Sequence, residues 1–500
     1  MARIEQINDL ETAKQVAMLL EKENARLHAR IAALSLELSH LKGQDGATQL
    51  ELELMKLQEE AAQLRSHLFG PSSERRPGPN SEEEEEPPHR PGHGPRKQPE
   101  LPFVDVEHDV DPDDRKCAEC GGELAEWKGQ FEESEEVTVV ERRFVITRHK
   151  RKKYRCKCGA GVKTAPGPLK LIDGGRYSVD FAIEVAISKY LDHQPLERQC
   201  RTMRREGLAT DSQTLWDQLW ALSQHLVPSY EALQEKLFER DLLHADETPW
   251  PLLGSKQRKG SQKWYVWGIA APDGVFYRIR PSRSAASGAE VLEGFEGTIL
   301  VDGYKAYQTL ARGSPDLRLA YCWAHVRRKF ITAEKFYPDE AGKALDLIKK
   351  IFRLDASVPK PEDVDEQDRA DALALRAKVR DEQTRPVVEE LKKWALQQRA
   401  LKDSALRKAI DYMSRLWDGL VLFLDDPRIP LTNNLVERAV RGPVIGRKNH
   451  YGSKSERGTK VAALFYSLIE TAKLRGVEPK AYLRAAANAA IESPGTVTLP

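Results

Sequence analysis

Between Leu242 and Tyr307 the chain reads as an apolar run, a hairpin, a helix and a second apolar run, and this order constrains the fold more than any other part of the sequence. LLHADETPW ends in acids, KWYVWGIAA and GVFYRIRPS flank the turn Pro272-Asp273-Gly274, AASGAEVLEGF has helical spacing, and GTILVDGYKAY is a further strand ending in an acid. A meander followed by a right-handed crossover returns the fourth strand parallel to and beside the first. Asp246 and Asp302 then become neighbours. Two adjacent carboxylates repel unless protons or cations compensate them, so the pair points to a hard divalent metal.

A third acid lies in TNNLVERAVR. Asn433, Glu437 and Arg441 recur every four residues and share a helix face, Val436 and Val440 lie on another, and Asn434 and Arg438 flank the polar side. The same pattern describes a solvated surface stripe equally well.

At 500 residues the chain exceeds what one core organises, and roughly three domains are expected. Its 78 Lys+Arg against 77 Asp+Glu leave a net charge of +1, which excludes a uniformly basic coat but not a local basic surface. No apolar run reaches the ~18 residues of a membrane span, and MARIEQINDLETAK lacks the apolar core of a signal peptide, so a soluble cytoplasmic protein without membrane contact is expected.

Leu20, Leu27, Leu34 and Leu41 recur every seven residues, interleaved with Ala17, Asn24, Ile31 and Leu38. After a break at GQDG the pattern resumes with Leu50, Leu57 and Leu64 against Leu54, Ala61 and Leu68. Sustained heptads with one polar core residue predict a coiled coil and association of two or more copies. The Pro/Gly/Glu-rich stretch that follows cannot bury enough apolar surface to fold and reads as a linker.

Cys117, Cys120, Cys156 and Cys158 form two tight pairs on either side of a strand-like segment, as in a zinc ribbon, and predict structural zinc. The second pair is Cys-x-Cys, which leaves His149 as an alternative ligand. Nine Lys/Arg and no acid lie between Arg142 and Cys158, among them Arg143, Lys150, Arg151, Lys152 and Lys153, a strip suited to phosphate contacts or simply to solvent. Residues 178–226 read as three helices compatible with a helix-turn-helix whose third helix would enter a major groove. Within CWAHVRRKF, Cys322 and His325 read as a packed cysteine and a DNA-facing histidine, because no further ligands lie nearby in sequence. Residues 340–424 have helical periodicity and carry the acidic PEDVDEQDRAD, and residues 438–457 read as a basic loop near the metals.

The succession HADET, VDGYKAY, CWAHVRRKF, TNNLVERAVR, GRKNHYGSKSERG and YSLIETAKLRG resembles the DDE transposases of the insertion-sequence sixty-six family, and the resemblance extends to the leucine zipper, the cysteine segment and KYLDHQPL. One departure is Cys-x-Cys where the family commonly has Cys-x-x-Cys. The resemblance implies a multidomain α/β chain with an RNase H-like catalytic core. The expected boundaries are a coiled coil at 1–70, a disordered linker at 71–100, a zinc-ribbon-like segment at 101–165 and a helical DNA-binding region at 166–240. The first part of the core follows at 241–335, an α-helical insertion at 336–425, the catalytic-helix part of the core at 426–475 and a C-terminal tail at 476–500.

The resemblance also assigns Asp246, Asp302 and Glu437 as the catalytic acids. They are expected to hold two Mg²⁺, or Mn²⁺ in their place, about 3.5–4 Å apart, for end cleavage by water and strand transfer by the freed 3′-hydroxyl. The residues expected to meet DNA are those of the basic strip together with Arg327, Arg328, Asn433, Asn434, Arg438, Arg441, Arg447 and Lys448. Expected partners are the element's ends, target DNA, a second copy of the chain and accessory proteins of the same element. The competing readings are an RNase H-like nuclease or resolvase without joining activity and a catalytically silent DNA-binding dimer.

Overall fold

The structure is a computed structural model that describes residues 115–125, 143–155, 162–253 and 262–500, with the single positions Ala29, Ala33, Asp109 and Asp111. Apart from those two alanines, the heptad segment and the linker lie outside the described residues, as do Arg142, Cys156 and Cys158. The chain divides into two compact units, Ser72–Arg143 and the remainder.

In the larger unit a two-stranded ribbon, β1 (Lys153–Arg155) and β2 (Val162–Thr164), precedes three helices, α1 (Val179–Tyr190), α2 (Leu196–Arg205) and α3 (Ser212–Phe238). Ser178 and Asp211 cap α1 and α3 by accepting the Phe181 and Thr214 N–H groups. The sequence suggests a recognition helix for α3, but α3 is a 27-residue element with Leu215, Leu219, Leu222, Leu226, Leu233 and Leu237 buried along one side. Those leucines recur at helical spacing and fix one side of α3 to the core, while Gln213 and Asp217 in its first turns stay exposed, and the helix continues through Pro228.

Five strands form the central sheet in the order β5-β4-β3-β6-β7: β3 (Leu242–Leu252), β4 (Gln262–Ala271), β5 (Gly274–Arg280), β6 (Gly297–Val301) and β7 (Leu317–Tyr321). β3, β4 and β5 are antiparallel neighbours, whereas β6 runs parallel to β3 and β7 parallel to β6. Helices α4 (Ala285–Val291) and α5 (Lys305–Arg312) make the crossovers. Gly288 lies so close to the Trp267 ring that α4 can pack flat on the sheet.

After β7 come α6 (Trp323–Glu334) and a helical stretch: α7 (Pro338–Ala356), α8 (Arg369–Val379), α9 (Arg385–Gln397), α10 (Ala405–Arg415) and α11 (Trp417–Leu420). A π-helical turn, Arg380–Thr384, joins α8 to α9. Arg380 is fully buried there, and its guanidinium donates to Asp355 and to the carbonyls of Phe423, Asp426 and Ile429. This ties the helical stretch to the segment entering α12 (Asn434–Ala439).

α13 (Arg441–His450), α14 (Glu456–Leu474) and α15 (Pro479–Glu492) complete the chain. α14 lies along β5, the sheet edge. Its Ser467 and Thr471 hydroxyls accept the Tyr277 and Val275 N–H groups, and the Thr471 hydroxyl donates to the Val275 carbonyl. The outward N–H groups of Val275 and Tyr277 and the Val275 carbonyl are thereby satisfied by side chains. Among the described residues no helix is long and apolar enough to cross a membrane.

Candidate active site

The β3–β6 pairing ends at His244–Leu300, and Asp246 and Asp302 each lie two residues further on. Sheet ligands generally collect where parallel strands end at their carboxyl side. β3 continues, paired with β4 alone, and carries Pro249 and Pro251 there. Neither proline has an N–H to offer, and β6 is no longer alongside to require one. Their carbonyls instead accept from Arg447 and from the Ser453 N–H. Arg447 also donates to the Thr248 hydroxyl at 2.9 Å. Expected to reach DNA, it braces β3 instead.

Asp246 sits opposite Gly268, which sits opposite Tyr277, so these three share one face of the sheet. A Cβ on Gly268 would meet Val440 at 3.0 Å and Val436 at 3.4 Å. The missing side chain lets α12, which carries Glu437, lie directly on this face. Gly268→Val is therefore expected to lift α12 and lower catalytic turnover by at least about tenfold, with Gly268→Ala between it and the native chain, since overpacking displaces neighbours at a cost of ~1–3 kcal/mol. Unchanged turnover in the valine variant would show that Glu437 does not depend on this approach.

TNNLVERAVR is not one helix, as its spacing suggests, but two, meeting at Val440. Pro443 has no N–H for the Ala439 carbonyl, which accepts instead from the Tyr277 hydroxyl at 2.7 Å. Arg441 therefore starts a second helix instead of extending the Asn433–Glu437 face. The basic loop expected after Glu437 is largely α13. Its Gly and Pro residues imitate a loop, but Pro443 falls in the first turn, where a helix tolerates it, and Gly446 makes room for the Tyr466 hydroxyl.

Asn433 is not available to DNA. It is 1% exposed, its amide nitrogen donates to the Ala245 carbonyl, and its oxygen faces His244 Nδ1 at 3.0 Å. With the amide nitrogen used, the oxygen must accept, so His244 carries its proton on Nδ1. Burial lowers the His244 pKa to about 4, with the Asn433 bond opposing the shift. Since the folded value lies below the unfolded ~6.5, the neutral ring favours the fold above that pH, and this contribution of ~3 kcal/mol is lost as pH falls from 6.5 through 4. His244→Gln should flatten the acid limb of the unfolding midpoint across that window; an unaltered slope would discount the neutral ring.

Asp302 Oδ1 accepts the Tyr304 N–H at 2.9 Å, while Gly303 fits beneath the Tyr412 hydroxyl, which accepts its N–H at 3.1 Å. Burial, then Asp302, then Glu437 push the Asp246 carboxyl up to about 7, against the Glu247 N–H that its Oδ1 accepts. Glu247, a residue the sequence did not single out, points to the opposite face and accepts from the Tyr307 hydroxyl at 2.9 Å; burial and then Asp302 push it up to about 8. These raised acids act opposite in sign to His244. They favour the metal-free fold at low pH and cease to as pH rises through about 7 and 8. Such crowded, desolvated carboxylates fit a hard divalent cation, whose charge would remove the repulsion.

Glu437 also faces a second group. His325 Nδ1 lies 3.8 Å from its Oε1, and Cys322 Sγ completes a trio whose ligand atoms all fall within 4.8 Å of one another. The sequence reads Cys322 and His325 as a packed cysteine and a DNA-facing histidine because no further ligands lie nearby in sequence; in the fold, α12 brings Glu437 beside them from far along the chain.

In the smaller unit, Cys117 and Cys120 form a tight knuckle. The Cys117 carbonyl accepts from Gly121, which has φ +71°, and the Cys117 N–H donates to Gly122. The Glu119 and Cys120 N–H groups directed at the Cys117 sulfur lower its pKa, as suits a thiolate zinc ligand. Of the remaining predicted DNA contacts, Lys150, Arg151, Lys152, Lys153, Arg328, Asn434, Arg438, Arg441 and Lys448 are exposed, as is Arg143 in its own unit, and Arg327 is half-buried.

Residues 174–461 match the family model described as "Transposase IS66 family", and residues 114–159 match "zinc-finger binding domain of transposase IS66". Three curated relatives from Sinorhizobium fredii (strain NBRC 101917 / NGR234) are similar to the chain. Uncharacterized protein y4jD is 34% identical over 402 residues, covering 77% of this chain and 76% of its own. Uncharacterized protein y4qI is 31% identical over 384 residues, covering 73% and 69%, and y4hP is 28% identical over 388 residues, also covering 73% and 69%.

Proposed function

Because the chain belongs to the IS66 family of transposases, we propose that it is a DDE-type enzyme that binds the terminal inverted repeats of its element, cuts there and joins the ends to target DNA. The observation that carries this reading is the convergence of Asp246, Asp302 and Glu437 from two parallel strands and a helix laid over Gly268. The strand order, a three-strand meander with two further strands added in parallel beside its first, supports an RNase H-like core.

Two Mg²⁺ ions, or Mn²⁺, held by these acids would stabilise the charge that develops on the transferring phosphate. The chain's own part is to fix the carboxylates. The Tyr304 N–H orients Asp302, the Glu247 N–H orients Asp246, and Val436 and Val440 seat α12 on the sheet. Asn434, Arg438, Arg441 and Lys448, exposed on the two helices that carry and follow Glu437, would hold the DNA backbone, with Arg328 and the strip from Arg143 to Lys153 as further phosphate contacts. Zinc on Cys117, Cys120, Cys156 and Cys158 would fold the cysteine segment, and the heptads would pair two copies so that two ends are held together.

The test is incubation of the full chain and Mg²⁺ with labelled duplexes carrying the ends of the encoding element. Cutting followed by joining supports the proposal. Cutting alone would leave a nuclease or resolvase, and binding alone a silent DNA-binding dimer.

A further inference from the structure

We propose that Cys322, His325 and Glu437 form a binding site for a soft divalent cation of the Zn²⁺ class, separate from the zinc segment and sharing Glu437 with the acid cluster. The three ligand atoms lie within 4.8 Å of one another, and the His325 Nδ1 to Glu437 Oε1 distance of 3.8 Å is close to the edge of a tetrahedron built on metal bonds of about 2.0–2.3 Å. Thiolate, imidazole and carboxylate together suit Zn²⁺ and not Mg²⁺, which takes oxygen ligands. Three protein ligands leave a fourth position open.

The frame is built before any ion arrives. Cys322 is 1% exposed, and its N–H donates to the Val301 carbonyl at the end of β6, while the adjoining Trp323 N–H donates to Leu431 at 2.8 Å. The Asn433 N–H donates to the sulfur at 3.3 Å, and the N–H groups of His325 and Ala324 also favour its thiolate. Burial, and after it the Glu437 carboxylate, push the thiol up against these donors, which hold the sulfur most strongly when it becomes an anion. Binding forms a sulfur–metal bond and releases the thiol proton to solvent.

Glu437 cannot serve both groups fully. An ion on Cys322 and His325 draws this carboxylate away from Asp246 and Asp302, so Zn²⁺ should oppose Mg²⁺-supported cutting. This consequence rests on the transposase reading; the binding itself does not.

The experiment loads the full chain with Co²⁺, whose bond to thiolate absorbs in the near ultraviolet, and compares it with Cys322→Ser and His325→Ala. The zinc segment contributes equally to all three, so each variant is expected to lose the signal of one equivalent per chain, and zinc content should fall by one. His325 is only half-buried, so its variant reports even if the cysteine variant unfolds. Equal signal and zinc content in the native chain and His325→Ala would overturn the site. A second measurement takes the Zn²⁺ concentration that halves each protein's own Mg²⁺-supported cutting, expected to rise at least tenfold in His325→Ala. An unshifted value would overturn the sharing of Glu437. A native chain that binds the extra Co²⁺ but cuts no DNA would retain the site and reject the transposase reading.

Discussion

Asp246→Asn is expected to leave the chain folded and to reduce Mg²⁺-dependent cutting of element ends by on the order of 10³-fold or more, because a ligand to a charge-stabilising cation contributes several kcal/mol in the transition state. The change keeps the shape of the side chain, and the amide oxygen can still accept the Glu247 N–H now received by Asp246 Oδ1. Only the charge is lost. Binding of end DNA should persist, since the exposed basic residues are untouched. The metal-free variant should also unfold no earlier than the native chain at pH 8, because the repulsion that raises Asp246 and Glu247 is relieved. Strand transfer by Asp246→Asn at the native rate would remove Asp246 from the catalytic set.

The second large effect is structural. Arg380→Met should destabilise the fold by about 3–5 kcal/mol, the range found when one partner of a buried ion pair is removed. The guanidinium is 1% exposed and Asp355 14%, so solvent screens the pair very little. Its loss leaves Asp355 with Arg376 alone and strips donors from the carbonyls of Phe423, Asp426 and Ile429. Arg380→Lys should recover only part of the loss, because one ammonium cannot replace a planar fork reaching a carboxylate and three carbonyls. Those carbonyls lie in the segment leading to Asn433 and Glu437, so cutting should fall along with the unfolding midpoint. A midpoint within ~1 kcal/mol of the native chain would mean that the helices hold this segment without Arg380.

The strand before Asp302 was legible because GTILV is an unbroken apolar run that stops at the acid, whereas Asp246 marks only the point where β3 loses β6 as a neighbour, the strand itself running on to Leu252. The face of α12 was less so. Spacing by four places Asn433 and Glu437 on one side of a helix, but cannot say that Asn433 is pressed against Ala245 and His244 while Glu437 faces the acids. That distinction depends on contacts between segments nearly two hundred residues apart. Glu247 carries no mark in the sequence, because alternation along a strand sends neighbouring acids to opposite faces and nothing local reveals that both faces are covered. The Cys322–His325–Glu437 trio was hidden for a similar reason, since its third member belongs to another element. In α13 the misleading signal was local: Pro443 and Gly446 suggest a loop until the Tyr277 and Tyr466 hydroxyls beside them are known.

The capped edge of the sheet has a consequence for assembly. A bare outer strand can recruit a strand from another copy, the usual route to accidental polymerisation. Along β5 such recruitment would first have to displace Ser467 and Thr471 from Val275 and Tyr277. A second copy is thus discouraged from adding a strand on this side of the sheet, leaving any pairing to other surfaces that can form and separate without opening the core.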